Sequence, residues 1–319
     1  MRLRWLLSAM VVIAVLVPAM MITAARIVGP DGGRWVRLVS FTPYALLLYG
    51  VALLLLIVAV VAGHGFRRAI AGTLAVLLLP LVAVHLWWAS PAYVGQPAAS
   101  ANHGKTFTVL ASNLYLGDAD PVELIRVAEE TGADILVLTE ITPAALEALR
   151  EAGLTDAYPH AGGAPAEGGA GTMVLARHEL TDVAPLDTTF GGLAVTVSVP
   201  GESIRLIAVH AHPPSDDATA WRSDHAVIRR AAAASAGPTV VAGDFNATMD
   251  HEQMRELDGR GLADAAEQAN SGWQPTFPDP PLIAVDHVLL TADFVATHTD
   301  AVSIEGTDHR ALVAELAWR

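Results

Sequence analysis

The chain has 319 residues and no cysteine, which excludes disulfide bonds and thiol catalysis. Its formal net charge of −14 argues against binding to a polyanion. More than half of its residues are hydrophobic, and a mean hydropathy of +0.42 is too high for an ordinary soluble enzyme, so we expect part of the chain to lie in a membrane.

Three apolar runs near the N-terminus are each as long as the ~20 residues that cross a bilayer as a helix. They cover roughly residues 5–25, 41–62 and 69–88. The alternative for the first run is a cleaved signal peptide, but its apolar core is longer than the ~7–15 residues usual for such peptides. We therefore predict that residues 1–89 form a membrane anchor of three transmembrane helices. These runs contain almost no ionisable groups, which favours an anchor over a transport function.

Arginines around these runs predict the orientation of the anchor. Arg2 and Arg4 precede the first run, and Arg67 and Arg68 separate the second run from the third. Arginine is enriched on the cytoplasmic side of membrane helices, although three further arginines in the opposing loop weaken the signal. We predict a multi-pass protein of the cell membrane whose C-terminal domain is extracytoplasmic.

Residues 90–104 are small, polar and contain Pro and Gly, which predicts a linker. Residues 105–319 are enough for one large domain, in which short apolar runs of β type alternate with helical stretches. Predicted strands cover residues 107–111, 135–139, 172–176, 193–199, 204–209, 239–242, 285–290 and 311–317. Predicted helices begin at Pro121, where Asp120 can cap the first turn, and cover residues 143–152 and 218–236. Because the strands occur both singly between helices and in adjacent pairs, we predict a layered α/β fold with mixed sheets.

The stretch VVAGDFNAT at residues 240–248 ends an apolar run with two polar groups, Asp244 and Asn246. Residues two apart on a strand point to the same side, so a strand through both would place them on one face. Gly243 leaves room for a close approach to the backbone. The alternative is a strand that ends in an Asx-type turn.

Polar groups stand at the ends of six of the predicted strands. They are Asn113, Glu140, His210 with His212, Asp244 with Asn246, Asp286, and Asp308 with His309. Strand ends that face one crevice are where α/β folds place their sites. The chain has no Gly-x-Ser-x-Gly motif and no phosphate-binding loop of the Walker type.

The chemistry that these residue types can perform is narrow. Oxygen ligands from Glu, Asp and Asn suit Mg²⁺ or Mn²⁺, and His beside Asp suits an acid or base group. Together they indicate metal-assisted attack of water on a phosphate ester. His210 and His212 also raise the possibility of a zinc site, but the Asp that commonly follows such a pair is replaced by Pro214.

Six stretches of the C-terminal domain resemble the endonuclease/exonuclease/phosphatase (DNase I-like) superfamily and occur in the order of that superfamily. They are LASNLY, LVLTEI, LIAVHAHP, VVAGDFNAT, PTFPDPPLIAVDHVLL and GTDHRALVAEL. The chain is identified as a membrane-anchored member of bacterial type. The resemblance implies an α/β fold in the form of a four-layer α/β/β/α sandwich of two mixed sheets, with the site at one mouth of the sheets.

The resemblance also implies roles for the residues at the metal and the attacking water. Glu140 would be the main ligand of Mg²⁺ or Mn²⁺, with Asn113 and Asp308 beside it. Asp244 would orient or deprotonate the water, and Asn246 would hold that water or a phosphate oxygen.

The remaining roles concern the charged phosphoryl group. Asp286 would orient His309, which would stabilise that group or protonate the leaving group. His210 is preferred over His212 as the catalytic histidine, and both are candidates for substrate binding. His287 is expected to be structural.

We expect a metal-dependent hydrolase of phosphate esters, with lipid head groups or small extracellular esters as substrates. The alternatives are a metal-dependent nuclease and a membrane-anchored protein that binds without cleaving. From Lys105 onward there are 12 basic and 32 acidic residues, a formal charge of −20, which disfavours nucleic acid. No obligate protein partner is indicated.

Overall fold

The structure is a computed structural model that describes residues 2–30, 32–94, 102–200 and 202–319. The chain forms two compact units, Met1–Pro91 and Ala92–Arg319. Residues 95–101 of the predicted linker lie outside the described residues, and the first strand already begins at Asn102, where it pairs with Trp318. The strand therefore starts three residues before the predicted domain boundary.

The first unit is helical. Its helices are α1 (Arg2–Val28), α2 (Gly33–Val39), α3 (Thr42–Ala62) and α4 (Gly65–Ala89). Three of them, α1, α3 and α4, are long and apolar enough to cross a membrane by length and composition. The three predicted apolar helices are thus present, and the short α2 was not predicted.

Polar side chains join the three long helices inside the first unit. The Thr23 hydroxyl lies 2.8 Å from the Tyr49 hydroxyl and 2.9 Å from Nε2 of His85. All three side chains are buried. Because polar groups away from water need partners, this cluster favours one arrangement of α1, α3 and α4.

The second unit contains two six-stranded sheets. Sheet A has the order β11-β12-β1-β2-β4-β3, and sheet B has the order β5-β6-β7-β8-β10-β9. The strands are β1 (Asn102–Asn113), β2 (Ile135–Thr139), β3 (His160–Ala164), β4 (Thr172–Ala176), β5 (Leu180–Leu186), β6 (Gly192–Val199), β7 (Glu202–His210), β8 (Thr239–Asp244), β9 (Ala263–Asp264), β10 (Asp286–Leu290), β11 (Phe294–Ser303) and β12 (Arg310–Trp318).

Both sheets are mixed. Each has one parallel pair, β1 with β2 in sheet A and β7 with β8 in sheet B, and its other pairs are antiparallel. Parallel neighbours need a crossover, and here α5 and α8 supply it. The two mixed sheets flanked by helices confirm the predicted DNase I-like fold.

The helices of the second unit begin where the sequence provides caps. They are α5 (Pro121–Glu130), α6 (Pro143–Glu151), α7 (Leu154–Ala157), α8 (Ala218–Ala234), α9 (Glu252–Asp258) and α10 (Ala265–Gln268). Asp120 accepts a hydrogen bond of 2.8 Å from the backbone of Glu123, which caps α5 as predicted. Thr142 and Asp217 cap α6 and α8 in the same way.

Alternating side chains along each strand build separate apolar layers. Phe107, Val109 and Ala111 of β1 lie in the core between the two sheets. Leu110 and its neighbour Leu114 lie in a second core with apolar residues of α5, α6 and α7. Apolar layers therefore pack on both faces of β1, the strand that ends at Asn113.

Candidate active site

The site is formed where the parallel strand pairs of the two sheets end. Asn113 and Glu140 stand at the carboxyl ends of β1 and β2, and His210 and Asp244 stand at those of β7 and β8. Asp286 begins β10 directly opposite Asp244, because these strands are antiparallel. The two sheets thus bring their polar ends to one mouth, as expected for α/β folds.

Asn113 connects the carboxylates of the two sheets. Its Nδ2 lies 3.0 Å from Oε1 of Glu140 and 3.0 Å from Oδ2 of Asp244. Its Oδ1 accepts a hydrogen bond of 2.9 Å from the backbone of Tyr115. In this arrangement Asn113 bridges two carboxylates, and the other oxygen of Glu140 accepts from the backbone of Leu116.

His210 faces the same carboxylates. Its Nε2 lies 3.7 Å from Oε1 of Glu140 and 3.8 Å from Oδ2 of Asp244, and its Nδ1 lies 2.9 Å from the carbonyl oxygen of Gly169. The ring of His212 instead stacks on Phe190, with 4.8 Å between ring centroids, and its Nδ1 lies 3.0 Å from its neighbour's carbonyl oxygen. The structure thus brings His210, and not His212, to the carboxylates.

His309 and Asp286 form a buried pair on the other side of Asp244. Nδ1 of His309 lies 2.9 Å from Oδ2 of Asp286, and its Nε2 lies 3.9 Å from Oδ2 of Asp244. Burial by itself lowers the pKa of His309, but the charge and hydrogen bond of Asp286 raise it to about 10. His309 therefore carries a positive charge at neutral pH.

Asp244 is buried and ends its strand. Burial, and then the charge of Asp286, raise the pKa of Asp244. Gly243 precedes it with φ of 134°, and a Cβ there would lie 2.1 Å from the carbonyl oxygen of Val209. The close approach that a glycine permits here is that of strand β7, so a side chain at residue 243 would separate β7 from β8.

Asn246 does not continue the strand, contrary to the expectation that it shares a strand face with Asp244. Strand β8 ends at Asp244, and the backbone of Asn246 donates a hydrogen bond of 2.7 Å to Oδ1 of Asp244, which is an Asx-type turn. Its Nδ2 donates to the carbonyl oxygen of Ala211 at 3.0 Å and approaches Oδ2 of Asp244 at 3.4 Å. The Trp221 indole donates a hydrogen bond to the carbonyl oxygen of Asn246 and so supports the turn.

Two site residues have backbone angles that side chains rarely adopt. Glu140 has φ of 55° and Asn246 has φ of 46°. Left-handed backbone costs free energy in residues other than glycine and is concentrated at functional sites. Both residues follow a strand end, so the left-handed turn redirects the chain where the mouth opens.

The charges at the mouth fit a divalent cation. Glu140, Asp244, Asp286 and Asp308 bring four carboxylates together, and burial raises the pKa of Asp308. Carboxylate oxygens of Asp244 and Asp286 and a ring nitrogen of His309 lie within 4.8 Å of one another. Because a protonated His309 cannot bind a cation, the two carboxylates are the candidate ligands in this group. Oδ1 of Asp286 is buried without a hydrogen-bond partner. A set of oxygen donors of this kind suits Mg²⁺ or Mn²⁺.

Sequence reasoning missed Asp224, a buried carboxylate on α8 that holds one wall of the mouth. Its Oδ1 accepts from the backbone and hydroxyl of Thr189 at 2.9 and 3.0 Å, and its Oδ2 accepts from the backbone of His212 at 2.9 Å. Thr189 precedes Phe190, whose ring lies against both histidine rings. No strand-end signal marks an Asp in the middle of a helix.

Asp224→Ala is expected to lower the free energy of unfolding by about 1–3 kcal/mol, because three donors lose their buried acceptor. The midpoint of thermal unfolding in detergent measures this loss. Asp216→Ala, which removes an exposed carboxylate from the preceding loop, is the matched control. An equal midpoint for the two variants would show that Asp224 does not hold the wall.

A second buried pair lies behind the site. Nδ1 of His287 is 2.8 Å from Oδ2 of Asp264, and its Nε2 is 3.0 Å from the carbonyl oxygen of Ala247. His287 therefore points away from the mouth and supports the turn that follows Asp244. Asp264 also caps α10, with its Oδ1 accepting from the backbone of Ala266 and Glu267.

Glu267 in this region gives a prediction about pH and stability. Burial, and then the charges of Asp264 and Asp258, raise the pKa of Glu267 to about 8. An unfolded glutamate has a pKa of about 4.3, so between these values the folded chain binds more protons and its stability falls as pH rises. Glu267→Gln removes this loss, and we expect it to raise the free energy of unfolding at pH 8 by at least about 1 kcal/mol.

The measurement is chemical unfolding of the wild type and of Glu267→Gln at pH 4 and pH 8. The benefit of the substitution should be small at pH 4, where both states hold the proton. Glu252→Gln, at an exposed position of α9, is the control and should show no such pH dependence. A benefit of equal size at both pH values would contradict the assignment.

The sequence of the second unit matches the model of the Endonuclease/Exonuclease/phosphatase family over residues 110–309. The chain belongs to this family. Members of the endonuclease/exonuclease/phosphatase family are hydrolases that act on phosphate ester bonds, so the chain is a hydrolase of this class. No match to a curated protein was found.

Solved structures share the fold of the endonuclease/exonuclease/phosphatase family with this chain. D. rerio TDP2 humanized by 14 mutations has a TM-score of 0.57 at 15% identity, and the match covers 66% of this chain and 98% of that chain. A family protein from Bacteroides vulgatus has a TM-score of 0.55 at 16% identity, over 67% and 99%. One from Beutenbergia cavernae has a TM-score of 0.52 at 20% identity, over 67% and 72%. At these identities the similarity establishes the fold alone.

Proposed function

We propose that this chain is a membrane-anchored, divalent-metal-dependent phosphoesterase that hydrolyses phosphodiester or phosphomonoester bonds. The observation that carries the proposal is the position of the buried Asp244. Its Oδ2 lies 3.0 Å from Asn113, 3.8 Å from His210 and 3.9 Å from His309. A carboxylate with an amide and two imidazoles around it can activate water and stabilise a phosphoryl group at one point.

Asp244 is proposed to take the proton of the attacking water. Burial, and then the charge of Asp286, raise the pKa of Asp244, which makes its carboxylate a stronger base than an exposed aspartate. Asn246 donates to this carboxylate through its backbone, and its side chain is proposed to hold the water or a phosphate oxygen. His210 is proposed to contact a phosphate oxygen from the opposite side, with His212 further out along the same wall.

His309 is proposed to stabilise the phosphoryl charge or to protonate the leaving oxygen. The pKa of about 10 keeps its proton in place at neutral pH, and Asp286 fixes the ring through Nδ1, so Nε2 is directed to the mouth. Glu140 and Asp308, with Asn113 beside them, are the proposed holders of Mg²⁺ or Mn²⁺. A bound divalent cation would neutralise charge on the phosphoryl oxygens.

Lipid head groups or small phosphate esters outside the cytoplasm are the proposed substrates. The three apolar helices support attachment to a membrane, and the arginine pattern supports an extracytoplasmic position for the second unit. The formal charge of −20 from Lys105 onward disfavours a nuclease, since nucleic-acid binding depends on basic contacts along the backbone.

The test uses the full chain purified in detergent. Bis-p-nitrophenyl phosphate, p-nitrophenyl phosphate and plasmid DNA are assayed in parallel with Mg²⁺, Mn²⁺ or EDTA, and Asp286→Asn is the comparison variant. We expect turnover of a small ester that requires metal and falls in the variant. Cleavage of DNA alone would support the nuclease, and binding of metal without turnover of any ester would support a protein that binds without cleaving.

A further inference from the structure

Several large apolar side chains of the second unit remain exposed, and two of them, Tyr115 and Leu116, lie beside the candidate metal ligands. Six such side chains occur among residues 106–200 and 202–319: Tyr115, Leu116, Val122, Val183, Trp273 and Leu282. Only Val183 lies on a strand, the edge strand β5. The other five lie in or beside the segments that precede α5 and β10. Exposed apolar side chains grouped around a site indicate contact with another apolar body.

Tyr115 and Leu116 are displayed by a rigid turn attached to the site. Both have left-handed backbone, with φ of 47° and 55°, which is unfavourable for these residue types. Their backbone nitrogens donate to Oδ1 of Asn113 and Oε2 of Glu140 at 2.9 and 2.8 Å. The turn therefore fixes two side chains, 45% and 49% exposed, directly beside the candidate metal ligands.

Val122 and Leu282 belong to segments that line a cavity beside His309. The cavity has a volume of about 280 Å³, and Glu123, Asp279 and His309 are among the residues that line it. Val122 precedes Glu123 at the start of α5. Leu282 belongs to the loop in which Phe277 and Ile283 pair, and the Phe277 ring lies 4.7 Å from the His309 ring. We call Tyr115, Leu116, Val122 and Leu282 the apolar collar.

We infer that the apolar collar contacts the surface of the lipid bilayer and that the substrate is an amphiphilic phosphate ester held in that bilayer. This inference rests on the proposed function and names its substrate class. Three helices of the same chain are long and apolar enough to cross a bilayer, and the proposed anchor would keep the second unit near that bilayer. Tyrosine beside leucine is a combination that suits a membrane interface.

Charge selects the type of lipid surface. With 12 basic and 32 acidic residues from Lys105 onward, the second unit is repelled by anionic lipids and by nucleic acid alike. The apolar collar therefore fits a zwitterionic or neutral lipid surface, where binding depends on burial of apolar side chains and not on attraction between basic residues and anionic lipids.

The absence of cysteine permits a direct test in the full chain. The variants Leu116→Cys and Val183→Cys are each labelled with an environment-sensitive fluorophore. Val183→Cys is the matched control, because Val183 lies on β5 and is exposed to a similar degree, 47%. Each chain is reconstituted as one copy per nanodisc of phosphatidylcholine, with or without doxyl-labelled lipid. We expect the label at residue 116 to lose at least about half of its emission to the doxyl lipid, as for a group at the headgroup boundary, and the label at residue 183 to lose little.

Equal quenching at both positions, or none at residue 116, would overturn the inference. Turnover supplies a second readout, the ratio between a phosphate ester in phosphatidylcholine vesicles and dispersed bis-p-nitrophenyl phosphate. In the double variant Tyr115→Ser and Leu116→Ser this ratio should fall about tenfold, as expected when two apolar anchors leave the interface, whereas Val183→Ser should keep it.

The two readouts separate this inference from the proposed function. Quenching at residue 116 in a chain that cleaves no ester would refute the phosphoesterase and leave the lipid contact standing. Turnover of the dispersed ester without quenching would refute the lipid contact alone. Cleavage of single-stranded DNA that is lost in the double variant, again without quenching, would assign the collar to base stacking and overturn the inference.

Discussion

Asp244→Asn is expected to lower kcat by about 10²–10⁴-fold while leaving the affinity for Mg²⁺ or Mn²⁺ nearly unchanged, because the proposed general base loses its proton-accepting form. The amide has the size of the carboxylate, so the Asx-type turn to Asn246 can persist through Oδ1. Single-turnover kinetics with bis-p-nitrophenyl phosphate, beside a metal titration, measure the two effects separately.

Asp156→Asn is the matched control, since Asp156 is exposed on α7 and is not one of the candidate site residues. It should keep wild-type turnover. Full activity of a folded Asp244→Asn protein would remove Asp244 from the role of base and leave it as a structural residue at the end of β8.

Glu140→Ala is expected to raise the metal concentration for half-maximal activity at least tenfold and to lower turnover at saturating metal, because the proposed main ligand is lost. The substitution also removes one of the two acceptors of Asn113 Nδ2 and the acceptor of the Leu116 backbone nitrogen. Activity measured across a series of Mg²⁺ and Mn²⁺ concentrations is the readout.

Glu147→Ala removes an exposed carboxylate from α6 and serves as control for the loss of negative charge. A Glu140→Ala protein whose metal requirement equals that of the wild type would place the cation elsewhere. The carboxylates of Asp244 and Asp286 would then be the better candidates for its ligands.

The sequence predicted the central strands of both sheets and missed the edge strands. All eight predicted runs are strands, and the four strands that were not predicted, β3, β5, β9 and β11, are the two edges of each sheet. An edge strand has a partner on one side only and often faces solvent, so it needs no continuous apolar run. Strand β5, whose residues are mostly exposed, illustrates this.

The proximity of the candidate site residues was predictable for those that lie at the ends of predicted strands. Asn113, Glu140, His210 and Asp244 all follow apolar runs, and the structure places their side chains within 4 Å of a partner in the set. The local conformation of Asn246 was not predictable from alternation along a strand. The Asp244 side chain accepts the hydrogen bond of the Asn246 backbone nitrogen, which would otherwise be free to continue the strand, and so the strand ends.

Supporting residues were missed because their positions carry no pattern. Asp224 lies within α8, and Asp264 lies at a two-residue strand that caps the next helix. In sequence each is one acidic residue among many. Their importance depends on partners that are distant along the chain, Thr189 in one case and His287 in the other, and only the tertiary structure brings these together.

The pairing of β1 with β12 has a consequence for how the chain acquires its site. These strands, from the two ends of the second unit, are neighbours in sheet A, and His309 precedes β12 while Asn113 ends β1. Chains dominated by such distant pairings fold slowly, since loop-closure entropy is lost before the contacts form. The candidate site therefore cannot be assembled until β12, which follows His309, has paired with β1. Truncation within β12 would disrupt the candidate site and separate β11 from β1 in sheet A.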